Sequence, residues 1–168
     1  MSDLGLEPLA DRHLDAVAEL VRDPAVLRFT RVPEPPPAGF AAQWLARYEQ
    51  GRLDGTREGF AIVDGGGFAG LALAAAIDRD ARQAELGYVV APHARGRGVA
   101  TWALAALTRW GFAELEALRL ELLISVENAA SKRVAERCGY VREGILRSLH
   151  VKAGVREDTE IWSRLASD

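Results

Sequence analysis

Ala91-Pro-His-Ala-Arg-Gly-Arg-Gly-Val-Ala100 separates two apolar runs of different period. Before it, Ala84–Val90 reads as a strand. After it, Thr101–Phe112 repeats its apolar residues with helical spacing. A strand, a glycine-rich turn and a helix start together make a place to hold phosphate. The free N–H groups of a first helical turn point outward, and the helix dipole favours negative charge there. Gly96 and Gly98 present no side chain to an approaching ligand and tolerate positive φ. Arg95 and Arg97 add two cations able to hydrogen-bond phosphate oxygens. The loop is not a Walker A sequence, since no Gly-Lys-Ser/Thr follows. Thr101 stands where a dinucleotide fingerprint needs its third glycine. Taken alone, the loop is equally consistent with a tight turn carrying two solvated arginines.

Outward from this loop, the pattern predicts one mixed sheet. Leu4–Leu9 reads as a short strand, and Asp11 as a cap for a helix over Arg12–Arg22 with Leu14, Val17, Ala18 and Val21 on one face. Pro33–Pro37 forces an irregular segment, read as a loop over Arg31–Gly39, and Phe40–Gln50 reads as a second helix. Gly51–Gly59 reads as a polar loop. Phe60–Val63 and Phe68–Ala76 flank Asp64-Gly-Gly-Gly67, a hairpin signal, and Ala84–Val90 continues the meander. After the phosphate-loop helix, Arg119–Val126 reads as a strand, so a strand–helix–strand crossover is implied. Asn128 suits the N-cap, and Gly139 the C-terminal stop, of a helix over Ala129–Cys138. Tyr140–Val151 and Val155–Leu165 read as a final antiparallel pair. The expected order is β-α-α-β-β-β-α-β-α-β-β. This is an α/β (α+β) fold with a mostly antiparallel sheet flanked by helices, in one domain over residues 1–168.

Composition narrows the function classes. The chain has 168 residues, 49% hydrophobic and 27% charged, as in an ordinary globular protein. A net charge of −3 argues against a dedicated nucleic-acid binder. The single cysteine, Cys138, rules out an internal disulfide and a cysteine zinc cluster, and reads as a packed thiol. Three scattered histidines suggest no metal site. His13 is expected on the surface of the first helix, and His93 in solvent before the loop. No apolar run approaches the ~20 residues of a membrane span. The first residues, Met-Ser-Asp-Leu-Gly, carry no secretory signal pattern, so the expected location is the cytoplasm.

The second half of the pattern extends the reading. Arg95-x-x-Gly98-x-Ala100 follows the strand Glu85-Leu-Gly-Tyr-Val-Val90. Asn128-Ala-Ala-Ser131 comes later, then Val134-Ala-Glu-Arg-Cys-Gly-Tyr140 and Val141-Arg-Glu-Gly144. This resembles the GNAT superfamily of acyl-CoA-dependent N-acyltransferases, most closely over residues 82–165. Its wording is similar to the RimJ/RimL-like branch, which includes N-terminal acetyltransferases of ribosomal proteins. The resemblance implies that the strand before the loop splays from its neighbour. Tyr88, Val89 and Val90 would then offer backbone groups to the pantetheine arm of acetyl-CoA. The Val90 amide is the candidate for polarising the thioester carbonyl, on which acyl transfer builds negative charge. The amides of Arg95, Gly96, Arg97, Gly98, Val99, Ala100 and Thr101 would hold the pyrophosphate. Asn128 is either a helix cap or a pantetheine contact, and the two roles are compatible.

Many GNAT enzymes place a tyrosine seven residues after that asparagine to protonate the departing thiolate. Here the position is Ala135. Ser131 matches the serine that RimL-like enzymes use instead, and its alternative is an ordinary first-turn residue. Attack on a thioester needs a neutral amine, so a base or a water chain must take a proton. Glu85 alternates with Gly87 and Val89 on one strand face and could do so. His150 falls where RimL-like enzymes carry an acidic residue, and an imidazole suits that task near pH 7. Glu143 reads instead as part of a structural turn, and Tyr140 as core. The acceptor pocket is expected from Phe29–Pro37, the second helix and the last hairpin, with Thr30, Arg31 and Trp44 as candidate lining.

The resemblance implies an acetyl-CoA-dependent N-acetyltransferase that transfers directly to a primary amine, releasing coenzyme A. The amine would be a protein N-terminal α-amine, of the ribosomal-protein type, or a small amine. The alternatives are an acyl-CoA-binding module without catalysis and a transferase of a longer acyl group such as succinyl. Neither nucleic acid nor membrane is an expected partner. A homodimer is expected, because many relatives in the branch form one.

Overall fold

A computed structural model describes residues 3–168. Among the described residues, seven strands form one sheet in the order β1-β2-β3-β4-β5-β7-β6. β1 (Leu4–Pro8), β2 (Glu58–Asp64), β3 (Gly67–Asp78) and β4 (Gln83–Val90) make an antiparallel meander. β5 (Arg119–Ser125) lies parallel to β4, and the hairpin of β6 (Val141–Lys152) and β7 (Val155–Leu165) completes the sheet through β7. The β4–β5 step is the strand–helix–strand crossover expected from sequence, and α4 (Val99–Ala113) makes it. α5 (Ala129–Arg137) follows β5.

The first half carries one helix more than its sequence pattern suggests. A single 3-10 turn at Asp11–His13 leads into α1 (Leu14–Leu20), and α2 (Pro24–Phe29) follows before α3 (Phe40–Asp54). Asp11 belongs to that opening turn and makes no capping bond. The capping aspartate is Asp23, whose carboxylate accepts the amides of Ala25 and Val26, with Pro24 at the first helical position. α3 also runs past Gln50 to Asp54, so most of the expected polar loop is helical.

Two apolar layers hold the sheet. On one face, α4 and α5 pack Val99, Leu104, Leu107 and Ala135 onto Ile62, Leu86, Leu120 and Trp162. On the other, the first three helices pack Val17, Val26, Leu45 and Tyr48 onto Leu71, Leu73 and Val89. The face expected for the first helix is the one it buries: Val17 and Val21 are inside, with Leu14 and Ala18 packed beside them. His13 departs from expectation. It is 7% exposed, its Nδ1 accepts the Ala10 amide at 3.2 Å, and its ring lies near Phe68. A short turn before α1, rather than an open helical turn, directs it inward.

Candidate active site

β4 and β5 pair only where Gln83, Ala84 and Glu85 lie beside Arg119, Leu120 and Glu121. Beyond Glu85 the strands continue without pairing to each other, β4 to Val90 and β5 to Ser125. The register of β3 slips between Ala74 and Ala76, opposite the point where β4 leaves β5. Such a bulge increases local twist and helps to splay the strands. The result is a V-shaped opening within the sheet, as the resemblance implied. Its β4 wall carries free backbone groups. The Ala91 amide donates to the Ala69 carbonyl on β3, so alternation turns the amides of Val90 and Tyr88 toward the opening. The Val90 carbonyl accepts Arg95 Nε at 3.1 Å, which leaves its amide as the polar group available there.

The phosphate-type loop closes one mouth of the V. Gly96 and Gly98 have φ of +73° and +79°, and Gly98 is the N-cap of α4 with no side-chain cap. Buried Ala94 and Val99 anchor the loop, and the first-turn amides of Val99, Ala100 and Thr101 precede the first helical acceptor bond. A Cβ added at Gly96 or Gly98 would meet nothing within 4 Å, so the space above both residues is open. The two loop arginines are not idle. Arg95 pairs with Asp23 at 2.6 Å, which links the loop to α2, and Arg97 pairs with Asp64 on the β2–β3 hairpin. Arg95 and the two amides that Asp23 accepts hold its carboxyl below the usual range. His93 is exposed, as expected, and its Nε2 lies 3.1 Å from the Phe68 carbonyl.

The proposed site residues divide between the two faces of the sheet. On the α4–α5 face, Asn128 caps α5 by accepting the Ser131 amide at 3.2 Å. Tyr88 reaches across from β4, and its hydroxyl donates to Ser131 Oγ at 3.2 Å. Burial pushes the Tyr88 phenol up to about 12, so it stays a neutral proton donor at physiological pH. Ala135, where a helix tyrosine would stand, is fully buried in the core. Tyr140 is also core, with its hydroxyl 2.8 Å from Thr108 Oγ1. Cys138 is buried and shares a weak contact with the Thr101 carbonyl; burial pushes its thiol up, as expected of a packed cysteine.

On the opposite face, Glu85 pairs with Arg31, and His150 Nδ1 lies 3.0 Å from Thr159 Oγ1 on β7. Burial, and then the Arg31 guanidinium, push His150 below the ordinary histidine value, while Glu85 opposes them. Glu85, Arg31 and His150 therefore share one electrostatic environment. The neutral imidazole can accept a proton near pH 7. A Cβ at Gly87, between Glu85 and Val89 on the same strand face, would meet nothing within 4 Å. Open space thus lies beside Glu85. Trp44 is half-buried in the helix layer with Phe40 and Tyr48.

The segment from α2 to Val32 straps this face. Arg28 binds Glu157 of β7 at 3.0 Å and also Glu127 before α5, and Lys152 Nζ donates to the carbonyls of Thr30 and Val32. Glu143 stands apart from the site. It lies in β6, gripped by both terminal nitrogens of Arg119 at 2.7 and 2.8 Å and by Ser163 Oγ, which push its carboxyl down to about 2. It is a strand residue rather than the turn residue expected. Asp23, Arg28, Thr159 and the Tyr88 side chain were not singled out from sequence. Only Asp23 had a local signal, the Asp-Pro helix start.

The acetyltransferase (GNAT) domain profile matches residues 3–141. The chain belongs to the GNAT acetyltransferase family. YdaF of Bacillus subtilis, whose name assigns it provisionally to ribosomal N-acetylation, is 31% identical over 122 residues, covering 73% of this chain and 64% of the relative. The spermidine N(1)-acetyltransferase of Escherichia coli K12 is 28% identical over 141 residues, covering 84% and 74%. The chain spans between 46% and 64% of the length of four Bacillus relatives. The GNAT fold is shared with RimL, the ribosomal L7/L12 α-N-protein acetyltransferase, solved with coenzyme A (TM-score 0.89, 21% identity, 96% of this chain and 93% of that one). It is also shared with the Vibrio cholerae spermidine N-acetyltransferase solved with CoA and spermine (TM-score 0.86, 24% identity, 98% and 96%).

Proposed function

We propose that this GNAT chain acts as one domain that transfers an acetyl group from acetyl-CoA directly to the α-amine of a peptide. The observation that carries the proposal is the opened β4–β5 pair. Past Glu85, a phosphate-type loop flanks the opening, Ser131 and Tyr88 stand on one face, and Glu85 and His150 stand on the other. The pyrophosphate would lie on the loop amides of residues 95–101, and the pantetheine along Tyr88–Val90 beside Asn128. The Val90 amide would polarise the thioester carbonyl. His150 or Glu85 would take the amine proton, and Ser131, backed by Tyr88, would return one to the thiolate.

The names of the relatives offer two acceptor classes, ribosomal proteins and spermidine. The charge pattern favours the peptide. A polyamine needs unneutralised carboxylates, yet Glu85 is matched by Arg31, and Glu127 and Glu157 by Arg28. The proposal includes a cytoplasmic location and a homodimer. The dimer is supported by β6, an edge strand that exposes Val141, Ile145, Leu149 and Val151.

Calorimetric titration with acetyl-CoA tests the proposal, with Gly98→Trp as the control. A Cβ at Gly98 meets nothing within 4 Å, so the indole would start into the open mouth of the loop; the φ of +79° strains any side chain there, so the melting of the variant is checked alongside. Micromolar binding that the variant loses, followed by acetylation of N-terminal peptides, is the expected result. Absence of binding by the folded wild type refutes it. Binding with no transfer to any peptide or small amine supports a non-catalytic acyl-CoA module instead.

A further inference from the structure

We infer that Arg31 selects acceptors that carry a carboxylate about one residue's length from the reacting amine. The inference rests on the transferase reading above and deepens it. The open space beside Glu85, over Gly87, leads a substrate ammonium toward the Glu85 carboxylate, whose Oε1 is already bound by Arg31. An ammonium arriving there must share one carboxylate with the guanidinium, by taking Oε2 beside it or by displacing it from Oε1.

The guanidinium cannot travel far in either case. Lys152 holds the carbonyls of Thr30 and Val32, the residues on either side of Arg31. The guanidinium therefore stays within the reach of one side chain from the bound amine. It is about half exposed, so it can swing, whereas Glu85 is only 18% exposed and keeps its place. Arg28 is committed to Glu127 and Glu157 and does not compete for the substrate.

Charge matching then separates substrates. A neutral acceptor sets its ammonium and the Arg31 guanidinium on one carboxylate, so two cations share a single negative charge beside a partly buried site. An acceptor with a nearby carboxylate supplies the second negative charge, so each cation has its own partner. A basic acceptor meets repulsion. A guanidinium also prefers carboxylate for its planar two-point geometry. The carboxylate can belong to an acidic second residue of a peptide, one residue spanning about 3.5 Å, or to a free amino acid.

Initial rates with acetyl-CoA test this on wild type, Arg31→Ala, Arg31→Lys and Arg31→Glu. The acceptors are Ser-Asp, Ser-Ala and Ser-Lys peptides of otherwise equal sequence, with free serine and serine amide as a second pair. Wild type should favour the acidic over the neutral peptide on the order of tenfold in kcat/KM, chiefly through KM. The preference should shrink with added salt. Arg31→Ala should remove it, Arg31→Lys should restore part of it, and Arg31→Glu should favour Ser-Lys. A larger preference for free serine over its amide than for Ser-Asp over Ser-Ala assigns the carboxylate to an amino acid. Equal use of the three peptides and of free serine and its amide by wild type, or an unchanged ranking in Arg31→Ala, overturns the inference and leaves the transferase reading intact. Failure of wild type to acetylate any acceptor overturns both.

Discussion

Gly70 offers the sharpest test of how β4 sets the site. It faces Val90 across the β3–β4 ladder and has φ of +151°. A Cβ there would lie 2.1 Å from the Val89 carbonyl oxygen and 3.0 Å from Val90 Cα. Ordinary contact for such a pair begins near 3.4 Å, so the two strands must part by about 1 Å. Both contacts are backbone, so no side-chain rotation can relieve them. Overpacking of this kind costs about 1–3 kcal/mol, and a backbone conformation that disfavours a side chain adds to it. At this chain length each kcal/mol lowers Tm by about 2–4 °C, so Gly70→Ala should melt roughly 5–10 °C below wild type. The larger effect should be on rate. The displaced atoms adjoin the Val90 amide, and a misplacement of about 1 Å in a catalytic constellation costs about a hundredfold. Thermal unfolding and steady-state acetyl transfer measure the two effects on one preparation. Gly144→Ala is the control, since its Cβ would meet nothing within 4 Å. A Gly70→Ala protein with wild-type turnover would refute the argument that the position of β4 sets the site.

Other consequences follow from the titrating groups and ion pairs. Because burial lowers the His150 pKa, the imidazole protonates only at a pH lower than the ordinary 6.5, and the acidic limb of kcat/KM should lie below that value. The limb should vanish in His150→Gln; its survival there and loss in Glu85→Gln would make Glu85 the base. The same shift means that the unfolded chain binds more protons between the native His150 pKa and 6.5, so His150→Gln should flatten the loss of stability as pH falls through that window. Glu143, held down to about 2 by Arg119, stabilises the chain above the ordinary glutamate pKa, and that contribution is lost as pH falls from 4.5 toward 2. The Glu143 side chain is 41% exposed and solvent screens the pair, so Glu143→Gln should cost no more than about 1 kcal/mol at pH 7 and almost nothing at pH 2, read from urea midpoints.

The parts of the fold legible in the sequence are those with short-range causes. The hairpin at Asp64–Gly67, the glycine-rich entry to α4 and the Asn128 cap each depend on residues within a few positions. Each lies within a residue or two of where it was expected. The missed helix α2 had such a cause as well, because Asp23 before Pro24 is a helix start. The proline-rich stretch that follows obscured it by making the region look irregular. The site was less legible, because its pairings are long-range. Arg31 meets Glu85 across 54 positions, Arg95 meets Asp23 across 72, and Arg28 meets Glu157 across 129. No local period encodes such contacts. His13 shows the same limit: helical spacing put it outside, but the tertiary packing of the turn before α1 buries it.

The division of the site between two faces has a consequence for how its residues act together. Strand alternation sends Tyr88 toward α5 and Glu85 toward Arg31, so on the proposed mechanism the sheet would separate the two proton transfers. One face would receive the proton of the amine, and the other would supply a proton to the thiolate. Residues that share a hydrogen bond should be coupled, and residues across the sheet should not. Tyr88→Phe and Ser131→Ala both interrupt one bond, so the double variant should be little slower than the worse single one. Tyr88→Phe with His150→Gln should instead multiply the two losses in kcat/KM. The comparison needs three single and two double variants in one rate assay, with acetyl-CoA binding measured alongside to separate loss of cofactor from loss of proton transfer. Multiplication of the losses in the Tyr88–Ser131 pair would show that the hydroxyl bond between them is not a working unit. Strong coupling between Tyr88 and His150 would show that one proton path runs through the opening of the sheet, in place of two that end on its opposite faces.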